Sequence, residues 1–427
     1  MIRLTRISSV AALLLLALFS LPFWLPGLQF AREGSAEKQN AAVNENAVMP
    51  TQTQAPASKP SNTSFSDPEL PAMTLVDAGW VTGSSTMQKV LHPAAILRWD
   101  PARAAVDWQL ETDPILGAYM DDEGRVYVVE KHRLTILNEQ SGEVLSRKQL
   151  KDMPASGPNA GQPIPVGRQG NRLYLRNYDM GNNLFVYEMQ TGVFSEERWN
   201  LCESGYPFDS VYLPEEKAFV TFCIDFSSGM RGVLARLSIE NGASASVEIP
   251  ALGADEYMTG NGFALGPDHL AYVVDSDAGA LVEIDLDAMQ ILRQADYRQA
   301  SKERGWLQRA VSQLLDLSAS PAQAKRWMSQ PAVSPDGRYL VVDGGFGAGG
   351  GETTSAWLID LESLRPVKEI ELPRSPEAFH FASDSVLYIL LQTELPGASQ
   401  VLVFDLDRQQ SLTLDLPTSG RVLRFLP

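Results

Sequence analysis

VVDGGFGAGGGETTSAWLIDL, residues Val341 to Leu361, decides the fold. Gly345, Gly347 and Gly350 follow an apolar run, as the glycines of a dinucleotide-binding loop do. That loop must open a helix whose N-terminus holds the pyrophosphate. Here SAWLIDL comes next, and it reads as a second strand. The glycines therefore join two strands of a hairpin, and the segment belongs to an all-β chain.

The same strand, turn, strand pattern recurs. GRVYVVEKHRLTILNEQSGEVLSRKQL (Gly124 to Leu150) returns from Asn171 to Trp199, Lys217 to Ile249, His269 to Tyr297, Arg338 to Leu372 and Val386 to Leu416. Gly142, Gly192 and Gly242 mark one turn of successive copies, and Asp360 and Asp405 mark it in later ones. Each copy supplies three strands, b, c and d, behind a shorter strand a that ends in a tight turn such as Ser334-Pro335-Asp336-Gly337. Four strands in about 45 residues is the size of a propeller blade. A seventh set, MTLVDAGWV and then Ala94 to Leu110, lacks strand a, and GRVLRFLP (Gly420 to Pro427) is a lone strand that can supply it. The pattern predicts a ring of seven blades over residues 72 to 427, closed by its C-terminal strand, which removes two exposed sheet edges.

At this point the chain resembles the YVTN-type seven-bladed β-propellers. Their strand b motif is matched by Tyr127-Val128-Val129-Glu130, Tyr174-Leu175-Arg176-Asn177, Tyr272-Val273-Val274-Asp275 and Leu340-Val341-Val342-Asp343. Their strand c motif is matched by Glu283-Ile284-Asp285-Leu286, Leu358-Ile359-Asp360-Leu361 and Val403-Phe404-Asp405-Leu406. The resemblance implies the fold; the blade pattern is shared by proteins of many activities and implies no single one.

Ahead of the ring, Arg3 and Arg6 precede Ser8 to Phe30, a stretch without a charge. Residues 1–30 are an export signal that either stays in the membrane as an anchor or is cleaved near Gly34-Ser35-Ala36. Residues 31–71 are rich in Ala, Asn, Gln, Ser, Thr and Pro without apolar periodicity, the composition of a disordered linker. The expected location is therefore extracytoplasmic, periplasmic or cell-surface, with the membrane touched only through the N-terminal segment. A net charge of −17 argues against nucleic acid as a partner.

Chemistry-bearing motifs are sparse. His92, His132, His269 and His380 are scattered over different units, and no His-x-x-x-His, Cys-x-x-Cys or Gly-x-Ser-x-Gly spacing occurs. No metal, cofactor or catalytic residue is expected on this reading. Strand b ends in an acid or amide at Asp77, Glu130, Asn177, Asp275 and Asp343, a set that either rings the axis as a site for Ca²⁺ or a cationic ligand or bonds to its own turns. Cys202 and Cys223 fall on connections at one face of the ring, placed for a disulfide, with two buried thiols as the alternative. One insertion, 298–330, interrupts the repeat. Trp306, Leu307, Ala310, Val311, Leu314 and Leu315 recur there at helical spacing, so a small helical hairpin is expected on the same face, with Trp306 and Leu314 either packed on the blades or turned to a ligand.

The function expected from this reading is a non-catalytic binding scaffold for a protein, peptide or glycan at the cell envelope, engaged on its loop face. A more distant resemblance, to the heavy chains of periplasmic amine dehydrogenases, implies the alternative of a propeller subunit supporting a separate quinone-bearing chain. A lactonase-like propeller is a further alternative.

Overall fold

The computed structural model describes residues 70 to 426, apart from connecting segments of which 152–162, 250–260 and 298–329 are the longest. Seven four-stranded antiparallel sheets follow one another as blades. Blade 1 is assembled from both ends of the ring, in the order Val422–Leu426, Met73–Asp77, Ala94–Asp100, Ala105–Thr112. Blades 2 to 4 run Ile115–Met120 to Val144–Gln149, Pro163–Gln169 to Val193–Asn200 and Tyr206–Leu213 to Ser244–Ile249. Blades 5 to 7 run Asn261–Leu265 to Gln290–Asp296, Ala332–Val333 to Arg365–Glu371 and Pro376–Phe381 to Gln410–Asp415.

The closing strand pairs antiparallel with the first strand of the ring, with Thr74 opposite Leu426 and Leu75 opposite Phe425. The all-β architecture is a seven-bladed β-propeller sealed by its C-terminus. Among the described residues there is no helix, and none long and apolar enough to cross a membrane. The expected N-terminal segment, the linker up to residue 69 and the helical insertion up to residue 329 lie outside the described residues.

Burial explains the repeat's hydropathy. Strand b sits between neighbouring blades on both faces, so Val386–Leu391 is buried at every position. Strand d is outermost and alternates, as Val144–Gln149 does, with one face on the core and one in solvent. Seven apolar clusters result, each drawing on two adjacent blades. The cluster that joins blade 7 to blade 1 contains Tyr388, Leu390, Leu75, Trp99 and Phe425.

The turns follow from local chemistry. In Ser334-Pro335-Asp336-Gly337 the Ser334 hydroxyl donates to Asp336 Oδ1 at 2.6 Å and accepts from the Tyr339 amide at 2.8 Å. Gly337 takes the left-handed conformation that the turn needs (φ 71°). The c–d turns place Gly142, Gly192 and Gly242 at φ 68°, 76° and 72°, as their recurrence suggests, while Met289, Leu364 and Gln409 are also left-handed in blades 5 to 7. There the last residue of strand c offsets the strain. Asp285 accepts from the amides of Asp287 and Ala288, and Asp360 accepts from that of Ser363.

Polar latches join the blades at one recurring acceptor, the carbonyl just past strand c. Trp108 Nε1 donates to Glu139 O at 2.8 Å, Arg236 to Leu286 O at 3.3 Å and Arg293 to Leu361 O at 2.8 Å, and Lys148 reaches Met189 O. Each donor belongs to the blade before its acceptor, so the outer rim is tied as well as packed.

Candidate functional site

The seven innermost strands surround an axial cavity of roughly 510 Å³. Their free edges face this space, which is why proline is admitted at Pro163, Pro165, Pro207 and Pro376: an edge strand owes no hydrogen bond on that side. In three blades the inner strand is bulged at the same place, between Ile115 and Gly117, Pro207 and Asp209, and Pro376 and Ala378, and in blade 3 it is bulged two residues further along, between Pro165 and Gly167. The bulge brings adjacent inner strands close together. A Cβ on Gly117 would lie 2.7 Å from Ile164 Cγ2, and one on Gly167 would lie 2.6 Å from Tyr212. Glycine is required at both positions by this approach.

The cavity wall is mostly apolar, with Tyr119, Tyr212, Phe379 and Phe425 among its residues, and carries the polar groups Arg176, Asp209, Gln330 and His380. Asp209 accepts from its neighbour's amide, Ser210 N, at 2.8 Å and from Gln330 Nε2 at 2.6 Å. Gln330 is the last residue of the predicted insertion, so that segment re-enters the ring at the cavity wall. Tyr212 packs between Tyr174 and Phe219, with ring centroids 5.6 and 4.9 Å away. Burial, with Asp122 and Asp121 adding to it, pushes the Tyr119 phenol up to about 12. Burial holds the His380 imidazole below its ordinary pKa, so it is neutral at pH 7.

The strand b acids each end their strand before the b–c connection. Asp77, Glu130, Asn177 and Asp275 share one register position, and Asp343 lies one residue short of it. Asp77, Glu130, Asp275 and Asp343 are buried. Asp225 of blade 4 also ends its strand b, two residues beyond that position. The sequence concealed it because FVTFCID carries its acid beyond the point where YVVE and YVVD stop. Glu130 is committed to nearby backbone and side chains: it pairs with Arg133 and accepts from the Thr135 hydroxyl at 3.1 Å in its own hairpin, and from the Asp113 amide of the blade 1 to blade 2 connection at 3.3 Å.

Tyr339–Asp343 pairs antiparallel with Ser355–Asp360, and the Gly344 amide closes the hairpin on Ser355 O at 3.0 Å. The glycine run thus connects strands b and c, and its residues 345–353 lie outside the described part. Cys202 and Cys223 form a disulfide, with both residues buried. The Asn182 side chain brackets it, accepting from Cys202 N at 2.6 Å and donating to Cys202 O. Trp306 and Leu314 lie outside the described residues.

A separate polar cluster sits at the opposite end of the blades, where the a–b and c–d turns emerge. His269 Nδ1 is 3.3 Å from Glu216 Oε1 and 3.2 Å from Asp287 Oδ1. Its three side chains come from turns of blades 4 and 5 separated by long stretches of chain, so no short motif announces them.

No family model and no curated protein matches the chain. Solved structures do. Dihydro-heme d1 dehydrogenase NirN, in complex with DHE, is 12% identical over 86% of this chain and 77% of its own, with a TM-score of 0.50. Hsv2p of Kluyveromyces lactis is 10% identical over 81% of this chain and 100% of its own, with a TM-score of 0.47. Apo AztD from Citrobacter koseri is 9% identical over 83% of this chain and 97% of its own, with a TM-score of 0.48. At such identities the likeness is one of fold, and the class it shares with this chain is the β-propeller.

Proposed function

We propose that the protein is an extracytoplasmic binding scaffold that takes a peptide segment or a glycan end into its axial cavity. The observation that carries this reading is the cavity itself. Its volume of roughly 510 Å³ lies in the range of ligand sites, and its wall combines aromatic surface with the convergent polar groups Arg176, Asp209 and His380. Gln330, hydrogen-bonded to Asp209, adds a side-chain amide at that wall from a connection between blades, and connections on a rigid ring carry binding more often than the ring does. Export is supported by the basic, then apolar N-terminal run and by the buried Cys202–Cys223 disulfide, which persists in oxidising compartments.

The test is native mass spectrometry of the protein purified from its own envelope. A bound peptide or glycan should be present on the wild type and lost from Asp209→Asn and Arg176→Gln variants that melt at the wild-type temperature. Ligand retained by both variants would remove the cavity from consideration. Co-purification of a small quinone-bearing chain would instead favour the dehydrogenase subunit.

A further inference from the structure

We propose that Glu216, His269 and Asp287 form a binding site for a divalent transition metal of the zinc class at the junction of blades 4 and 5, on the face away from the b–c hairpins. This site is independent of the axial cavity. One ligand atom from each residue lies within 4.8 Å of the others. The two nitrogen-to-oxygen separations, 3.3 and 3.2 Å, are close to the edge of a tetrahedron whose centre is about 2.0 to 2.2 Å from each ligand. An imidazole with two carboxylates is a donor set that zinc accepts, and three protein ligands leave the fourth position open.

Three features of the surroundings favour a metal. First, Nδ1 can carry only one proton, yet two carboxylate oxygens face it at nearly equal distance; a dication between the three atoms satisfies all of them. Second, Arg236 holds the other oxygen of Glu216, with Nη2 at 2.6 Å from Oε2, and is itself anchored on Leu286 O at 3.3 Å. That leaves Oε1 directed to the imidazole, the part played by outer partners that orient metal ligands. Third, the charge suits a cation. Arg236 Nη1 also lies 3.6 Å from Asp287 Oδ1, but one guanidinium against two carboxylates leaves a net negative pocket when the imidazole is neutral. The nearby Lys217 is drawn off to Glu240 at 3.0 Å.

The residue just before strand b is left-handed at Gly124 in blade 2 (φ 69°), at Lys217 in blade 4 (φ 47°) and at His269 in blade 5 (φ 58°). Glycine is the easy choice for such a backbone and so fits the His269 position.

The same comparison gives a clean variant, since His269→Gly puts the favoured residue into this backbone. The full-length protein is titrated calorimetrically with Zn²⁺ in a non-chelating buffer, and with Co²⁺ while its visible absorption is followed. The wild type should bind one Zn²⁺ and give the absorption of four-coordinate cobalt. His269→Gly and Asp287→Asn should each weaken Zn²⁺ binding by at least the roughly ten- to hundredfold that losing even an outer partner costs. A wild type that takes up no stoichiometric Zn²⁺, or either variant binding with wild-type affinity, would overturn the site and leave an ion-pair cluster.

Discussion

The ring of His380 in blade 7 lies 5.6 Å from that of Phe425 in the C-terminal strand, at an angle of 34°, and both sit on the wall of the axial cavity. This contact joins the last blade to the strand that closes the ring. Phe425 is also part of the cluster that joins blades 7 and 1. Replacing it with alanine leaves a cavity at the seam, and the expected loss is about 3 to 5 kcal/mol, measured by denaturant unfolding. A loss below about 1 kcal/mol would mean that the strand does not seal the ring.

The same imidazole makes stability depend on pH. Burial depresses its folded pKa, so the unfolded chain binds the proton more readily than the folded one. Its contribution is complete above the unfolded value of about 6.5 and is lost as pH falls through the folded value. His380→Phe keeps a ring beside Phe425 and Tyr388 and removes the titration. The difference in stability between variant and wild type should therefore grow in the variant's favour as pH drops below about 6.5. A difference that stays constant with pH would show that His380 protonates freely in the folded ring.

Left-handed glycine at the turns, Gly170 between strands a and b of blade 3 and Gly142 between strands c and d of blade 2, meets two demands that a pair of substitutions can separate. Gly170 is left-handed (φ 57°) with nothing within 4 Å of an added Cβ. Gly142 is left-handed (φ 68°), and its Cβ would come within 2.6 Å of the Trp108 ring, whose indole latches blade 1 to blade 2. Gly170→Ala should cost about 1 to 2 kcal/mol for the backbone alone. Gly142→Ala should cost about 1 to 3 kcal/mol more, for the displaced indole. Equal losses in thermal unfolding would deny the Trp108 contact any weight.

The Cys202–Cys223 bridge closes a loop of 21 residues in separation and pins the entry of blade 4 to its strand b. Removing it with Cys202→Ala and Cys223→Ala should lower stability by roughly 3 kcal/mol, the chain entropy of such a loop. The wild type should lose the same amount on reduction in denaturant, and the double variant should not respond to reductant at all. A double variant as stable as the oxidised wild type would contradict the bridge's role.

Much of this architecture was legible in the sequence because it rests on local rules. Strand b is buried on both faces and so reads as a continuous apolar run, and Gly142, Gly192 and Gly242 had to be left-handed at one turn. The lone strand after Gly420 implied the seam. What escaped depends on contacts between distant segments. The inner-strand bulges that seat Ile164 and Tyr212 over Gly117 and Gly167 are set by neighbouring blades. The cavity wall gathers a few residues from every blade, and Glu216, His269 and Asp287 meet only after blades 4 and 5 have docked.

Closure by the C-terminal strand underlies both the ring and the cavity, and amide hydrogen exchange tests it without any substitution. Val422–Leu426 pairs with Met73–Asp77, so its amides should exchange as slowly as those of the inner strand Pro376–Phe381 in blade 7. Exchange at the rate of a free chain end, while the rest of the ring stays protected, would contradict the closure and with it the cavity assigned to the axis.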